Sequence, residues 1–124
     1  MKSHDFISIV RMILDVDAQA RERAADEACD CVKAYTPAQA SALATLLAAT
    51  AAIERENSAL EAELHAIVEL TSTGHVGLDH ISPLREIVLD DLPPQLRNYV
   101  SDLLEGREST RAAGTVWSKT PPYR

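Results

Sequence analysis

Three side chains spaced four residues apart are the pattern in this sequence that most resembles a metal site. Glu61, His65 and Glu69 share one face of any helix that contains them, because residues four apart are neighbours on a helix surface. Two carboxylates and an imidazole suit a divalent cation, and His75 or His80 could complete the site from a following loop. The motifs HExxH and paired ExxH are absent, however, and Glu–His pairs are common on solvated helix faces. We therefore predict no metal and no cofactor.

The two cysteines, Cys29 and Cys31, are the other candidates for chemistry. Positions two apart on a helix point to different faces, so these thiols are poorly placed for a mutual disulfide or a shared metal. We expect reduced thiols, as in a cytosolic protein. The sequence contains neither GxSxG nor a glycine-rich phosphate loop, and no base accompanies either cysteine in the sequence. We predict that the protein is not an enzyme.

Charge is the feature of the sequence that points to a function. Residues 1–106 contain 8 Lys and Arg and 18 Asp and Glu, which gives a net charge of −10. Residues 107–124 contain 4 Lys and Arg and 1 Glu, which gives a net charge of +3. Nucleic acid needs clustered basic residues, whereas a basic protein partner suits an acidic body. The alternative is an ordinary solvated surface. The predicted partner-binding residues are Glu22, Asp26, Glu27, Asp30, Glu54 and Glu61, on two acidic helix faces that also carry Glu56 and Glu63, together with Trp117.

Composition predicts that helices carry these side chains. The chain has 124 residues, of which 46% are apolar and only 4% aromatic; much of the apolar share is alanine, which favours closely packed helices over a sheet. This length fits one domain, residues 1–106, followed by an irregular or disordered tail, residues 107–124. No stretch approaches the roughly 20 apolar residues that span a bilayer, and no signal peptide is evident. We expect a cytoplasmic protein.

Apolar spacing predicts six helices in this domain. Thr36, Pro37 and Gln39 form a capping box with proline at the first helical position, which is a strong signal for a helix start. Asp15 or Asp17 is expected to cap the second helix, and Gly106 to end the last one. The predicted helices cover residues 5–14, 17–35, 38–50, 53–71, 79–89 and 95–105.

The segment that follows Thr36 has two interpretations. It can break near Thr50–Ala52 into two helices, which we favour because one helix of about 35 residues would be ~50 Å long and could not be covered by so small a chain. It can also run unbroken, with apolar residues from Leu43 to Thr71 forming a coiled-coil seam and Asn57 as its polar register residue. The first interpretation gives a compact stack, and the second gives a dimer.

Taken in pairs, the predicted helices repeat with a period of very roughly 35 to 40 residues. The segments ILDVDAQAR and IVLDDLPPQLR both run from an apolar helix into an Asp-containing turn. In this pattern residues 6–105 resemble the HEAT-type helical repeats, although the turn of the middle pair has no aspartate. The resemblance implies an all-α, right-handed solenoid fragment of antiparallel helix pairs that binds another macromolecule without catalysis. Some small bacterial immunity proteins, which bind and neutralise a cognate toxin, look like such short helical stacks.

These features together predict a non-enzymatic protein-binding domain. We expect an inhibitor or immunity protein that holds a basic partner, such as a toxin, through an acidic helical face, without contact to nucleic acid or membrane. The alternative is a self-assembling helical bundle or coiled-coil dimer with a structural or regulatory role, joined through the Leu43–Thr71 seam. The sequence leaves open whether the protein is a monomer or a homodimer.

Overall fold

All of the regular structure in residues 1–106, the part of the chain that the computed structural model describes, is helical. This confirms the all-α class. No helix in these residues combines the length and the apolar composition needed to cross a bilayer. The α-helices are α1 (Ser3–Ile13), α2 (Ala18–Asp30), α3 (Pro37–Ile53), α4 (Asn57–Thr71) and α5 (Pro94–Glu105), and the 3₁₀ turns are Val32–Ala34, Ser82–Glu86 and Leu89–Asp91.

The start of α3 is the capping box predicted from the sequence. The backbone N–H of Gln39 donates to Thr36 Oγ1 at 3.1 Å, and the backbone N–H of Thr36 donates to Gln39 Oε1 at 3.0 Å. Pro37 occupies the first helical position, where its missing N–H leaves no bond unmade. Gln39 Nε2 also donates to the carbonyl of Met1 at 2.9 Å, so the same residue ties the N-terminus to α3.

The long segment breaks into two helices, and the unbroken helix is wrong. The turn lies at residues 54–56, just beyond the predicted Thr50–Ala52. Thr50 is helical, and its Oγ1 donates to the carbonyl of Leu46 within α3 at 2.9 Å. The helix stops where the side chain of Glu54 accepts hydrogen bonds from the next two backbone N–H groups, which favours a turn over continued helix.

Most of the proposed coiled-coil seam is inside the protein. Leu43, Leu60, Leu64 and Ile67 are at most 2% exposed, because they form the core between the helices of a single chain. Asn57 is exposed at the first position of α4, so it does not act as a polar register residue within a seam. The geometric premise of the coiled-coil alternative is therefore not met.

The predicted helix over residues 79–89 is also wrong. Residues 79–89 contain no α-helix: Ser82–Glu86 is a 3₁₀ turn, the backbone is extended at Ile87, and a second 3₁₀ turn begins at Leu89. Pro83 is tolerated only in the first turn of an α-helix, so a helix could not begin much before it. Pro93 and Pro94 would end such a helix on its C-terminal side. An α-helix between these prolines would be short, and a short helix gains few hydrogen bonds after its costly first turn.

Helix ends elsewhere differ from prediction by a few residues. The helix α2 ends at Asp30, and Val32–Ala34 forms a 3₁₀ turn in place of its predicted last turn. Asp17 precedes α2 in the N-cap position but makes no side-chain cap, whereas Asp15 Oδ1 accepts from the N–H of Asp17 at 2.8 Å. Gly106 ends α5 in the left-handed conformation, with φ of 72°, as predicted for a glycine stop.

The helix α4 lies at the centre of the fold. It contacts α2, α3 and α5, while α1 contacts α2 and α3, and the Ser82–Glu86 turn contacts α3 and α5. The buried residues of α2 are all alanines, which allow it to approach α4 closely. Because α1 with α2 and α3 with α4 are helical hairpins packed side by side, the turns at residues 14–17 and 54–56 lie together at one end of the bundle.

Candidate binding groove between two helix turns

One arginine joins the two adjacent turns. Arg21, in the first turns of α2, donates from Nε to Glu54 Oε1 and from Nη2 to Glu54 Oε2, both at 2.7 Å. Its Nη1 donates to the carbonyls of Asp15 and Val16 at 2.9 and 3.0 Å. This bidentate geometry uses the planar fork of the guanidinium, which a lysine cannot reproduce. The Arg21–Glu54 pair therefore fastens the α1–α2 turn to the α3–α4 turn.

The carboxylate of Glu54 accepts hydrogen bonds both from Arg21 and from the backbone of its own turn. Its side chain is 0% exposed, and its Oε2 also accepts the backbone N–H groups of Arg55 and Glu56 at 3.1 and 3.2 Å. Burial opposes ionisation, but hydrogen bonds from Arg21, from Glu63 and from the N–H of Glu56 outweigh it and lower the pKa of Glu54 to about 2. Glu54 is thus ionised at neutral pH, although it is removed from water.

A second carboxyl, that of Glu63 on α4, lies behind Glu54. It is 0% exposed, and neither of its oxygens accepts a hydrogen bond from a donor within residues 1–106. Two ionised carboxylates cannot bond to each other, whereas a protonated Glu63 can donate its O–H to Glu54. Burial foremost, then the hydrogen bond and charge of Glu54, raise the pKa of Glu63 to about 9 against the opposing effect of Arg21. Glu63 is a neutral acid at pH 7.

A groove of about 470 Å³ opens between the two turns above this cluster. Its rim carries Leu14, Val16 and Ile53, which are 60%, 96% and 79% exposed. These are three of the five large apolar side chains that are exposed within residues 1–106. Contiguous exposed apolar surface of this kind marks interaction sites more often than scattered single residues do. We call it the turn-end groove; it is lined by Ile13, Leu14, Asp15, Val16, Ala18, Arg21, Thr50, Ile53, Glu54, Arg55 and Glu56.

Three of the six predicted partner-binding carboxylates line a second groove, formed by α2, α4 and α5. Glu22, Asp26 and Glu61 line a shallow groove of about 300 Å³, to which α5 contributes Tyr99. Glu61 Oε2 accepts from Gln95 Nε2 of α5 at 3.0 Å. Among residues 1–106, no lysine or arginine lines this groove. We call it the acidic groove; it is lined by Glu22, Asp26, Ser58, Glu61, Ala62, His65 and Tyr99.

The remaining predicted residues have different locations. Glu27 and Asp30 are exposed on α2 but do not line the acidic groove. Glu54 is not a surface charge, since its carboxylate is buried against Arg21. Trp117 lies outside the described residues. The structure therefore brings together three of the predicted carboxylates and separates a fourth into a buried ion pair.

The buried cluster was missed although the sequence carries a signal for it. Glu63 lies in the apolar stripe that includes Leu60, Leu64 and Ile67, at the spacing of three and four residues that faces a core. Arg21 has the same spacing to three buried alanines at positions 24, 25 and 28. The interpretation of Glu63 as part of an acidic surface is wrong, because its side chain is buried. Opposite charges in the apolar stripes of neighbouring helices indicate a buried polar cluster.

The residues considered first for chemistry do not form a cluster of metal ligands within residues 1–106. No group of three or more His, Cys, Asp or Glu side chains in residues 1–106 is arranged to hold a metal ion. His65 lines the acidic groove, while the Nδ1 of His80 accepts from the N–H of Gly77 at 2.9 Å. Cys29 and Cys31 are free and half-buried; burial first, and then neighbouring carboxylates, raise the pKa of both thiols. A raised pKa disfavours the reactive thiolate.

Comparison of the chain with protein-family models, with curated proteins and with solved structures finds no match. The function is therefore inferred from the two grooves and the charges around them.

Proposed function

We propose that this chain is a non-enzymatic protein-binding domain of the inhibitor or immunity type, which holds a basic partner protein on the acidic side of α2 and α4. One observation carries the proposal: Glu22, Asp26 and Glu61 line a single groove between packed helices, and none of the lysines and arginines in residues 1–106 lines that groove. Carboxylates on rigid helices present a fixed negative surface, which suits recognition of cationic side chains.

The charge of the whole body supports the same partner chemistry. Residues 1–106 have a net charge of −10 by sequence, and protonation of Glu63 reduces this to −9. A field of one sign attracts an oppositely charged protein over about 8–10 Å at physiological ionic strength and speeds its association. Binding of the partner should accordingly weaken as salt is raised.

The order of helix contacts supports a stack of helix pairs. The helix α1 pairs with α2 and α3 pairs with α4, while α2 lies against α4 and α1 against α3. This is the neighbour relation of a HEAT-like stack, in which the Ser82–Glu86 turn and α5 form a reduced third pair. We propose such a stack, working in the cytoplasm as the sequence predicts, where both thiols remain reduced.

A pull-down with charge-matched variants tests the proposal. The chain of 124 residues captures its partner from a lysate of the source organism at low salt, and it is compared with a triple variant, Glu22→Gln with Asp26→Asn and Glu61→Gln. The control variant removes three exposed carboxylates elsewhere, Asp79→Asn with Asp90→Asn and Asp91→Asn. A basic protein should bind the wild type and the control, should be lost from the triple variant, and should elute with increasing salt.

Two results would contradict this function. Equal loss of the partner from both triple variants would mean that only net charge matters and that the acidic groove is not a site. Recovery of no stoichiometric partner by the wild-type protein would remove the basis for a binding domain of the inhibitor type.

A further inference from the structure

The turn-end groove is a second surface, separate from the acidic groove. We infer that it docks a segment of a partner protein in which a bulky apolar anchor residue is flanked by lysine or arginine. The inference does not depend on the proposed function, because the groove is formed by turns at the end of the bundle and the acidic groove by the sides of α2, α4 and α5.

The apolar rim supplies the binding surface for the anchor. Leu14, Val16 and Ile53 expose more than half of their surface to water while a packed core is available a few residues away. Burying aliphatic side chains of this size against a partner is favourable, since their removal from water drives most protein association. The volume of about 470 Å³ lies in the range, about 300–1,000 Å³, of sites that enclose most of a small ligand.

The rim is held in one arrangement before any partner arrives. Arg21 bonds to the carbonyls of Asp15 and Val16 on one turn and to both oxygens of Glu54 on the other. Glu54 also accepts the N–H groups of the two residues that follow it. A surface fixed in this way loses little conformational entropy on binding, which favours affinity.

The charges around the groove favour a basic flank on the occupant. The charged side chains of the two turns, counted together with Arg21, have a net charge of −2, because the set contains four carboxylates and two guanidinium groups. Both charges of the Arg21–Glu54 pair are used within the protein, so the exposed charges are mainly acidic. The carboxylates are Asp15, Asp17, Glu54 and Glu56, and the guanidinium groups are Arg21 and Arg55.

The same charges disfavour a second copy of this chain as the occupant. Residues 1–106 have a net charge of −10 by sequence, so two copies meeting at this end would bring like charges together. Like-charge contacts of this kind are a common means of suppressing wrong pairings. A cationic segment of another protein meets no such repulsion.

A random 12-residue peptide library displayed on phage is the probe for this site. The library is selected at low salt against the immobilised chain of 124 residues, and enriched peptides are then synthesised with a fluorescent label for anisotropy titration. We expect enrichment of a leucine, isoleucine or aromatic residue flanked by lysine or arginine. The Ile53→Ser and Val16→Ser variants should weaken binding of these peptides by about tenfold or more, the effect of losing one buried aliphatic contact.

The control variant is Ile7→Ser, which removes an exposed isoleucine, 47% exposed, that does not line the groove. It should bind the selected peptides like the wild type. Enrichment of no peptide, enrichment of acidic flanks, or equal binding to Ile53→Ser and Ile7→Ser would overturn the inference. Peptides that depend on Asp26 and not on Ile53 would also overturn it, while supporting the acidic groove as the site of the proposed function.

Two further measurements identify other occupants, and either result overturns the inference. A wild-type dimer in light scattering that becomes a monomer in Ile53→Ser assigns the groove to a second copy. A red shift of the emission of Trp117, the single tryptophan, in Ile53→Ser without peptide assigns it to residues 107–124 of the same chain. We expect neither change.

Discussion

Replacing Glu63 by glutamine is expected to stabilise the protein, and to stabilise it more as the pH rises. The carboxyl of Glu63 is buried, forms no ion pair within residues 1–106 and keeps its proton at neutral pH in the folded state. In the unfolded chain the same carboxyl releases its proton to water. Glutamine has nearly the same shape and cannot ionise, and its amide N–H can still donate to Glu54.

The sign and size follow from the pKa of Glu63 in the two states. Its pKa is about 9 in the folded protein against an ordinary value of 4.5, so between these pH values the folded state holds a proton that the unfolded state has lost. The free energy of unfolding then falls by up to about 1.4 kcal/mol per pH unit across this window. Below pH 4.5 both states are protonated, and above about 9 both are ionised.

At pH 7, which is 2.5 pH units above the ordinary pKa of 4.5, the Glu63→Gln variant should therefore gain about 3 kcal/mol at most in its free energy of unfolding. Glu54 titrates in a separate window, because its lowered pKa of about 2 contributes stability that is present above pH 4.5 and lost as the pH falls towards 2. The titration of Glu54 contributes equally to the wild type and to the variant as long as Glu54 keeps its partners. It therefore cancels when the two free energies of unfolding are subtracted.

Urea denaturation followed by far-UV circular dichroism at pH 5, 6, 7 and 8 measures the effect. The matched control is Glu61→Gln, an exposed position on the same helix, which should show no pH-dependent gain. The reasoning is refuted if Glu63→Gln is less stable than the wild type at pH 7, or if its gain is the same at pH 5 and pH 8.

Three further predictions test the contacts described above. Arg21→Gln leaves the carboxylate of Glu54 buried without its cation and should lower the free energy of unfolding by about 3 kcal/mol or more, measured by urea denaturation, whereas Arg23→Gln on the exposed side of α2 should change it by less than about 0.5 kcal/mol. Thr36→Ala removes one half of the capping box and should cost about 1 kcal/mol in the same assay. Cys29 and Cys31, whose thiol pKa values are raised, should react with Ellman's reagent at pH 7 more slowly in the folded protein than in urea; equal rates would contradict their burial.

The sequence predicts most of the helices because their signals are local. The capping box at Thr36 depends on residues within four positions of one another, and the structure contains it with both hydrogen bonds. The stripe of α4 follows from the spacing of Leu60, Leu64 and Ile67. Signals of this kind need no knowledge of what the helix packs against.

The errors in the predicted helices arise where the backbone conformation depends on a tertiary contact or on a proline. Residues 79–89 have helical apolar spacing, but Pro83 limits them to a 3₁₀ turn. The end of α3 depends on the side chain of Glu54, which bonds to the following turn and to an arginine 33 residues earlier in the chain. Single-sequence patterns do not show such a distant contact, although the apolar stripes around Glu63 and Arg21 indicate which helix faces are buried.

The burial of Glu63 needs a physical reason, since it lowers stability at neutral pH. A leucine would fill a similar volume, and replacement of buried polar groups by apolar ones is often neutral or stabilising. Glu63 differs from leucine in one respect: its O–H can donate to Glu54, which in turn holds Arg21 and the α3–α4 turn. Without that donor the carboxylate of Glu54 loses one of its fixed partners, and the rim of the turn-end groove loses part of its support.

This reasoning predicts a separation of stability from binding. Glu63→Gln keeps a donor towards Glu54 and should bind the selected peptides like the wild type. Glu63→Leu lacks the donor and should bind them more weakly in the anisotropy titration, even if urea denaturation shows that it is at least as stable. Since the leucine does not touch the groove surface, weaker binding by a stable variant would have to come from a change in the Arg21–Glu54 pair. Equal binding by the two variants would mean that Glu63 does not help to shape the groove.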